Sequence, residues 1–385
     1  TVRFRTAGPN SLFPAYFPSQ LGMMASPAWF DALEADPSLN QMPIGAGPYK
    51  IESRVQDSVT RLVPNENWFR TDRELLLDAI EIYPLQQEGN RTDQLLGEDL
   101  EVIHVTDVGS ITRLRDEPDI NRFEESEEDF FLIFNAQKAP FDDLRVRQAA
   151  TLAFPRAQYS EFINQGVSVP ADTLFPEGSI WHDPTIEQAT DDPAAAGALV
   201  DAYCVDNPEN CSDGRINIEY QNNGPSLTLD EIYTVISDGW GDFFNLDHQV
   251  IPQDEHVNEV LFGLYDVATW RYHGFLDPEL ESLFFSCDTI GAISINFARN
   301  CNAERDALMA QQRATEDEAE RVELWKQIQA DMNDERQYMM ISHNIWVTAA
   351  RPEVQGLCDS TNPDGVTLRC SLNGRPRFDG VSLSQ

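Results

Sequence analysis

The 385 residues carry 65 Asp and Glu against 27 Lys and Arg, a formal net charge of −38, yet 41% are hydrophobic and 10% aromatic. That apolar content excludes a disordered acidic tail, and the charge argues against nucleic acid or anionic lipid as the main partner, because phosphate binding needs a cationic field. No run of 18 apolar residues occurs, so no transmembrane helix is expected, and a lysine count limited to Lys50, Lys138 and Lys326 reads as adaptation to a salty medium that screens self-repulsion.

In chain order, Val2-Arg3-Phe4-Arg5 alternates as a strand and a short helix is expected near Pro27–Glu34. The opening at Thr1 reads as a start removed by processing or truncation. Gly45-Ala46-Gly47-Pro48 gives a turn into a strand at Tyr49, and Ile80–Tyr83 is a second strand. Helix over 92–100, strand over 101–105, helix over 110–116 and a short apolar strand at Phe130–Phe134 follow. The acidic run Glu124–Asp129 reads as a solvated face, since it lacks the glycine turn of a calcium loop. Leu144–Ala153 has helical spacing behind Asp142 or Asp143 as cap, and Asp191-Asp192-Pro193 opens a helix to Tyr203. Strands at 216–220 and 249–251 alternate with helices at 229–243 and 257–263 before an extended Tyr265–Trp270, and 304–331 reads as two packed helices with a restart at Thr315-Glu316-Asp317-Glu318. The pattern is α/β.

The six cysteines form three pairs close in sequence, 204/211, 287/301 and 358/370. None has the two-to-four-residue ligand spacing of zinc sites, so local disulfides and an oxidising, extracytoplasmic compartment are expected, with buried free thiols as the alternative. HExxH, GxSxG, a phosphate-binding glycine loop and a dinucleotide fingerprint are all absent, and the six histidines are scattered. No catalytic group, cofactor or metal is nominated. His256-Val257-Asn258-Glu259 has only a weak metal-ligand flavour.

The segment Asn135-Ala136-Gln137-Lys138-Ala139-Pro140-Phe141-Asp142-Asp143-Leu144-Arg145-Val146-Arg147-Gln148-Ala149-Ala150 resembles the signature of the periplasmic oligopeptide- and dipeptide-binding proteins of ABC importers, extracellular solute-binding protein family 5. Gly45-Ala46-Gly47-Pro48-Tyr49, Asn65-Glu66-Asn67-Trp68, Gly97-Glu98-Asp99-Leu100, Tyr265-Asp266 with Trp270, and Asp317, Arg321 and Leu324 resemble further family segments in the family's order. The resemblance implies a two-lobed periplasmic-binding-protein fold with an extra domain, lacking here part of its front. It implies a remnant of the extra domain at 1–40, lobe I at 41–134, lobe II at 135–348 and a return to lobe I at 349–385, with hinges near Phe134–Ala136 and Val347–Arg351.

The function so implied is binding without chemistry: a small-molecule or peptide ligand is captured between the lobes and handed to an ABC permease by an exported monomer. The rivals are a ligand sensor or scavenger on the same fold and an acidic secreted hydrolase, for which no carboxylate pair can be nominated. Trp181, Trp240, Trp270, Tyr272 and Phe275 could line an apolar cage, and the expected ligand-binding residues are Trp270, Arg271, Tyr272, His273, His256 and Asn135. Peptide-binding members resemble one another in a Trp-x-x-Asp whose Asp receives the peptide amine; here Trp270-Arg271-Tyr272-His273 puts His there, and a slipped register gives Gly274 or Phe275. Asp277 is the nearest substitute; without it, Arg271 and His273 favour an acidic solute or a metal chelate.

Overall fold

The computed structural model describes residues 3–6, 8–17, 25–273, 277–362, 364–372 and 375–384. The chain divides into two compact units, one of Tyr16–Glu125 with Ile345–Gln385 and the other of Thr1–Ala15 with Ser126–Asn344.

In the first unit, α1 (Pro27–Ala35) precedes a three-stranded antiparallel sheet, β1 (Tyr49–Val55), β2 (Val59–Pro64) and β3 (Ile80–Ile82), in that order. Helix α2 (Glu88–Leu96), β4 (Val102–Val105) and α3 (Val108–Arg115) follow. Asp107 starts α3 by accepting the Ser110 amide at 2.9 Å, satisfying one of the donors a helix start leaves open. His104 of β4 stacks on Trp346 with ring centroids 5.5 Å apart, and burial, assisted by the cationic Arg91 and Arg375, lowers its pKa to about 4.

The second unit begins within β5 (Asn121–Phe134). It continues through α4 (Leu144–Leu152), α5 (Arg156–Tyr159), β6 (Val169–Pro170), α6 (Pro193–Asp206), β7 (Cys211–Ser212), β8 (Arg215–Asn223), α7 (Leu227–Trp240), β9 (Phe244–Ile251), α8 (Gln253–Phe262) and β10 (Val267–His273). Two capped helices, α9 (Ala303–Ala314) and α10 (Glu318–Glu335), lead to β11 (Tyr338–Ala350), which ends in the first unit against β4. In this unit β8 runs parallel to both β9 and β10, and β10 is antiparallel to β5.

Strand β5 explains the two cores. Phe130, Leu132 and Phe134 enter a cluster with Val146, Val200, Ile236 and Trp240, while Phe131 and Ile133 enter another with Val260, Met309, Trp325 and Ile328. A strand covered on both faces needs apolar residues at every position, which is why Phe130–Phe134 reads as a continuous run. Strand β11 is buried on the same principle along most of its length, and the sequence reading did not identify it.

Several expectations are corrected. Arg3–Thr6 form no strand; Phe4 meets the Phe13 ring at 5.4 Å, and Val2 lies outside the described residues. The Ser11 hydroxyl donates to the Arg313 and Thr315 carbonyls at 3.1 and 2.9 Å, and Thr1–Ala15 belong to the second unit, whereas the first unit begins at Tyr16. The unit boundaries fall at 125/126 and 344/345, inside β5 and β11, ahead of the expected crossings at 134–136 and 347–351. The acidic run lies within β5 and is a solvated face only in part: Glu124 and Ser126 are exposed, whereas its last two members, Glu128 and Asp129, are buried. All three expected disulfides are present, Cys204–Cys211, Cys287–Cys301 and Cys358–Cys370, which removes the free-thiol alternative.

Candidate functional site

Strand β10 brings the largest share of the expected site residues together. Val267, Ala268 and Thr269 are buried in the sheet, Trp270 is half-buried, and the Arg271 side chain is 53% exposed, so the strand passes from core to solvent within five residues. Its register against β5 places Trp270 opposite Phe131, Tyr272 opposite Asp129 and His273 opposite Glu128. The side chains of Tyr272 and His273, and all of Gly274 and Phe275, lie outside the described residues.

His256 backs Trp270. Helix α8 buries His256 and Val260, one turn apart, so the imidazole faces the sheet. Its Nε2 donates to the Thr269 carbonyl at 2.9 Å, which leaves Nδ1 to accept from the Gln221 amide at 3.1 Å. Burial lowers its pKa, so the ring is neutral, and it stacks on Trp270 at 5.5 Å. Phe297 meets the same indole at 4.9 Å and Phe284 extends the group. Gly263 closes α8 at φ +69, where a Cβ would come within 2.2 Å of Arg299; that guanidinium donates to the Leu261 and Gly291 carbonyls. A close-packed arginine and a left-handed turn both require glycine there.

Asn135 is buried, and its polar atoms are engaged by the fold. Its Nδ2 donates to the Gly263 and Tyr265 carbonyls at 3.1 and 3.0 Å, and its Oδ1 accepts the Gln137 amide at 3.2 Å. It therefore positions the chain entering β10. Asp266, the next anchor, accepts the Glu219 amide at 2.9 Å and pairs with Lys138 at 2.8 Å.

The expected aromatic cage does not form as one group. Trp240 lies in the core on the other face of the sheet and donates its indole N–H to Ala150 O at 2.9 Å. Trp181 packs beside Arg321, 5.1 Å from ring to guanidinium. Asp277 does not replace the missing Asp: it caps the Glu279 amide at 2.9 Å and accepts both Nη atoms of Arg321 at 2.6 and 3.0 Å.

The sequence reading missed three ionisable residues, two on β5 beside β10 and one on β11, the next strand over. Glu128, with its side chain 1% exposed, lies 3.4 Å from Arg271. Asp129 pairs with Nδ1 of His343 at 2.5 Å, both buried; desolvation raises the Asp129 pKa, and the histidine partly opposes that rise. The available signal was position: Glu128 and Asp129 are the members of the acidic run that abut the apolar Phe130–Phe134. His343 gave none beyond lying in a long apolar stretch. Among the described residues no group of three or more His, Cys, Asp or Glu is placed to hold a metal, and no helix is long and apolar enough to cross a membrane.

Residues 1–289 match the family model described as bacterial extracellular solute-binding proteins, family 5 Middle. The chain is 25% identical over 373 residues to the dipeptide-binding protein of Escherichia coli, a match covering 92% of this chain and 67% of that protein. It is 25% identical over 365 residues to a probable di/tripeptide-binding protein 5 of Pseudomonas aeruginosa, covering 92% of this chain and 64% of the relative. The chain thus spans about two thirds of the length of these relatives. Among solved structures, the periplasmic binding protein DppA of Helicobacter pylori, in complex with the peptide STSA, superposes with a TM-score of 0.84 at 19% identity, over 98% of this chain and 71% of that one. That likeness establishes the fold.

Proposed function

Because this chain belongs to the bacterial extracellular solute-binding proteins of family 5, we propose that it captures a peptide-sized or other small solute outside the cytoplasm and delivers it to an ABC permease in the membrane. The observation that carries the reading is the family match over residues 1–289, reinforced by relatives named for binding di- and tripeptides. Three disulfides fit an oxidising compartment. The relatives are named for what they bind and not for a reaction, which supports a non-enzymatic role; we read the protein as a monomer.

In this reading the two units serve as the two lobes. The solute lies along the outer end of β10, with Trp270 as an apolar wall, His256 as its neutral backing and Arg271 at the rim, Tyr272 and His273 being the next residues of the strand, while Asn135 holds the strand entry in place. In the unslipped register His273 stands at the sequence position of the Trp-x-x-Asp aspartate, with Gly274 or Phe275 there if the register slips, and Glu128 is the register partner of His273 on β5. A carboxylate gains from a charge-assisted hydrogen bond to a cation, so Glu128, which Arg271 already meets at 3.4 Å, is the carboxylate that a solute ammonium would share, and Arg271, its side chain half in solvent, would meet the opposite charge of the solute.

Isothermal titration calorimetry with Ala-Ala and N-acetyl-Ala-Ala tests this. Binding of the free amine at least about tenfold tighter is expected, which is about 1.4 kcal/mol. Glu128→Gln is expected to remove that preference. Equal affinities for the two peptides in the wild type would remove Glu128 from the role, and no binding of any small solute would remove the reading.

A further inference from the structure

Between β6 and α6 the chain runs from residue 171 to residue 192 without a helix or strand. Its ends are tied by backbone hydrogen bonds: Ala171 N donates to Ile341 O at 3.2 Å, and the Asp191 and Asp192 amides donate to the Phe154 and Leu152 carbonyls at 3.1 and 2.9 Å. Between these ties, residues 172–190 make no backbone-to-backbone hydrogen bond to any other part of the described chain, only internal turns such as Ser179 to Pro176 and Ile186 to Asp183. We propose that residues 172–190 form a strap that comes away from α10 and β11 as one body while the rest of the second unit stays folded, pivoting at Ala171 and Asp191.

The argument is one of how the strap is fastened. Side chains do it. Gln188 stands in for a strand residue against β11, donating from Nε2 to Tyr338 O at 3.1 Å and accepting the Met340 amide on Oε1 at 3.0 Å. From α10, Gln329 Nε2 reaches Trp181 O at 2.9 Å and Asn333 Nδ2 reaches Glu187 O at 3.3 Å, while Arg156 of α5 pairs with Asp172 near the first pivot at 2.5 Å. Leu174, Phe175 and Trp181 are the apolar anchors, in one cluster with Trp325 and Met332. Losing these contacts breaks no ladder: β11 keeps its place beside β5, and α10 keeps its helical bonds. The strap also carries its own cross-ties, the Gln188 amide to Asp172 Oδ1 at 3.1 Å and His182 Nδ1 to Phe175 O at 2.9 Å, so it moves as a body and not residue by residue. Its seat is loosely packed. A cavity of about 20 Å³, room for one water-sized body, lies between Asp172, Thr173 and Gln188 of the strap, Met332 of α10 and Met340 of β11. Burial of the three apolar anchors makes the released state rare, and the missing backbone ladder makes it less costly than global unfolding. The inference concerns the second unit alone and stands independently of the solute reading.

The test is native-state amide hydrogen exchange at fixed pH in urea below the unfolding transition. The Met340 amide, bonded to Gln188 Oε1, and the Gln188 amide, bonded to Asp172, report the strap, and the Ile236 amide in the middle of α7, buried in the other core, reports global opening. Met340 and Gln188 are expected to share one opening constant, larger than that of Ile236 by about tenfold or more. Gln329→Leu removes the bond to Trp181 O, at a different point of the strap, and is expected to raise the Met340 and Gln188 constants by the same factor, about fivefold. The wild-type comparison carries the test if that variant does not fold. Unequal constants for Met340 and Gln188, constants equal to that of Ile236, or a response to Gln329→Leu that is absent or confined to one of the two amides would overturn the strap.

Discussion

Asn135→Ala separates a residue that holds the site from one that touches a solute. The side chain makes three hydrogen bonds, to Gly263 O, Tyr265 O and the Gln137 amide, and is 1% exposed. At about 1 kcal/mol net for each bond, and more where a buried carbonyl is left without a donor, the loss is about 2–4 kcal/mol. It should appear in urea unfolding as a lower midpoint with an unchanged slope, since the surface exposed on unfolding is the same. Solute affinity, measured by calorimetry below the unfolding transition, should change by less than about threefold, because a tenfold change would require about 1.4 kcal/mol of direct contact. Asn135→Asp is the companion: it keeps the acceptor to Gln137, loses both donors and adds a buried charge, so it should be at least as destabilising. A stability loss under about 1 kcal/mol combined with a tenfold loss of affinity would refute this reasoning and make Asn135 a direct solute contact.

Other outcomes follow from the same structure. Asp277→Asn removes the charge that meets both Nη atoms of the buried Arg321, and a loss of about 2–4 kcal/mol is expected in chemical denaturation; an unchanged midpoint would contradict it. His104 has a folded pKa depressed from 6.5 to about 4, so between these values the unfolded chain binds the proton more readily and stability falls as pH falls. The loss should reach about 2–3 kcal/mol at the bottom of that window, and His104→Phe should flatten this part of the pH profile; identical profiles would rule it out. With a net charge of −38, raising NaCl from about 0.1 to about 2 M should shorten the screening length several-fold and raise the melting temperature, whereas a flat or falling response would argue against the salt-adapted surface.

Local chemistry was readable wherever a short signal decided the structure. Asp143 and Asp192 cap α4 and α6 as their positions before apolar spacing and proline suggested, and the three cysteine pairs close as their spacing suggested. Strand β11 was missed because burial on both faces erases the alternation that marks a strand. The proposed site was legible only in part. Trp270 and Arg271 stood out by resemblance, and His256 does lie against Trp270. Glu128 and Asp129 were hidden because their burial comes from β10 and β11, each more than a hundred residues away in sequence, and a run of acidic residues has no local feature that distinguishes a covered member from a solvated one. Asp277 and Trp240 misled for the complementary reason: Arg321 and Ala150, the partners that occupy them, are distant in the chain.

Native mass spectrometry of the protein mixed with a library of amino acids and di- to tetrapeptides tests the central claim most directly. The account predicts a saturable one-to-one adduct that leaves intact on mild denaturation, carries a free amine and is weakened by Glu128→Gln. Recovery of cleaved library members, or a protein that stays unliganded throughout while remaining folded, would contradict it.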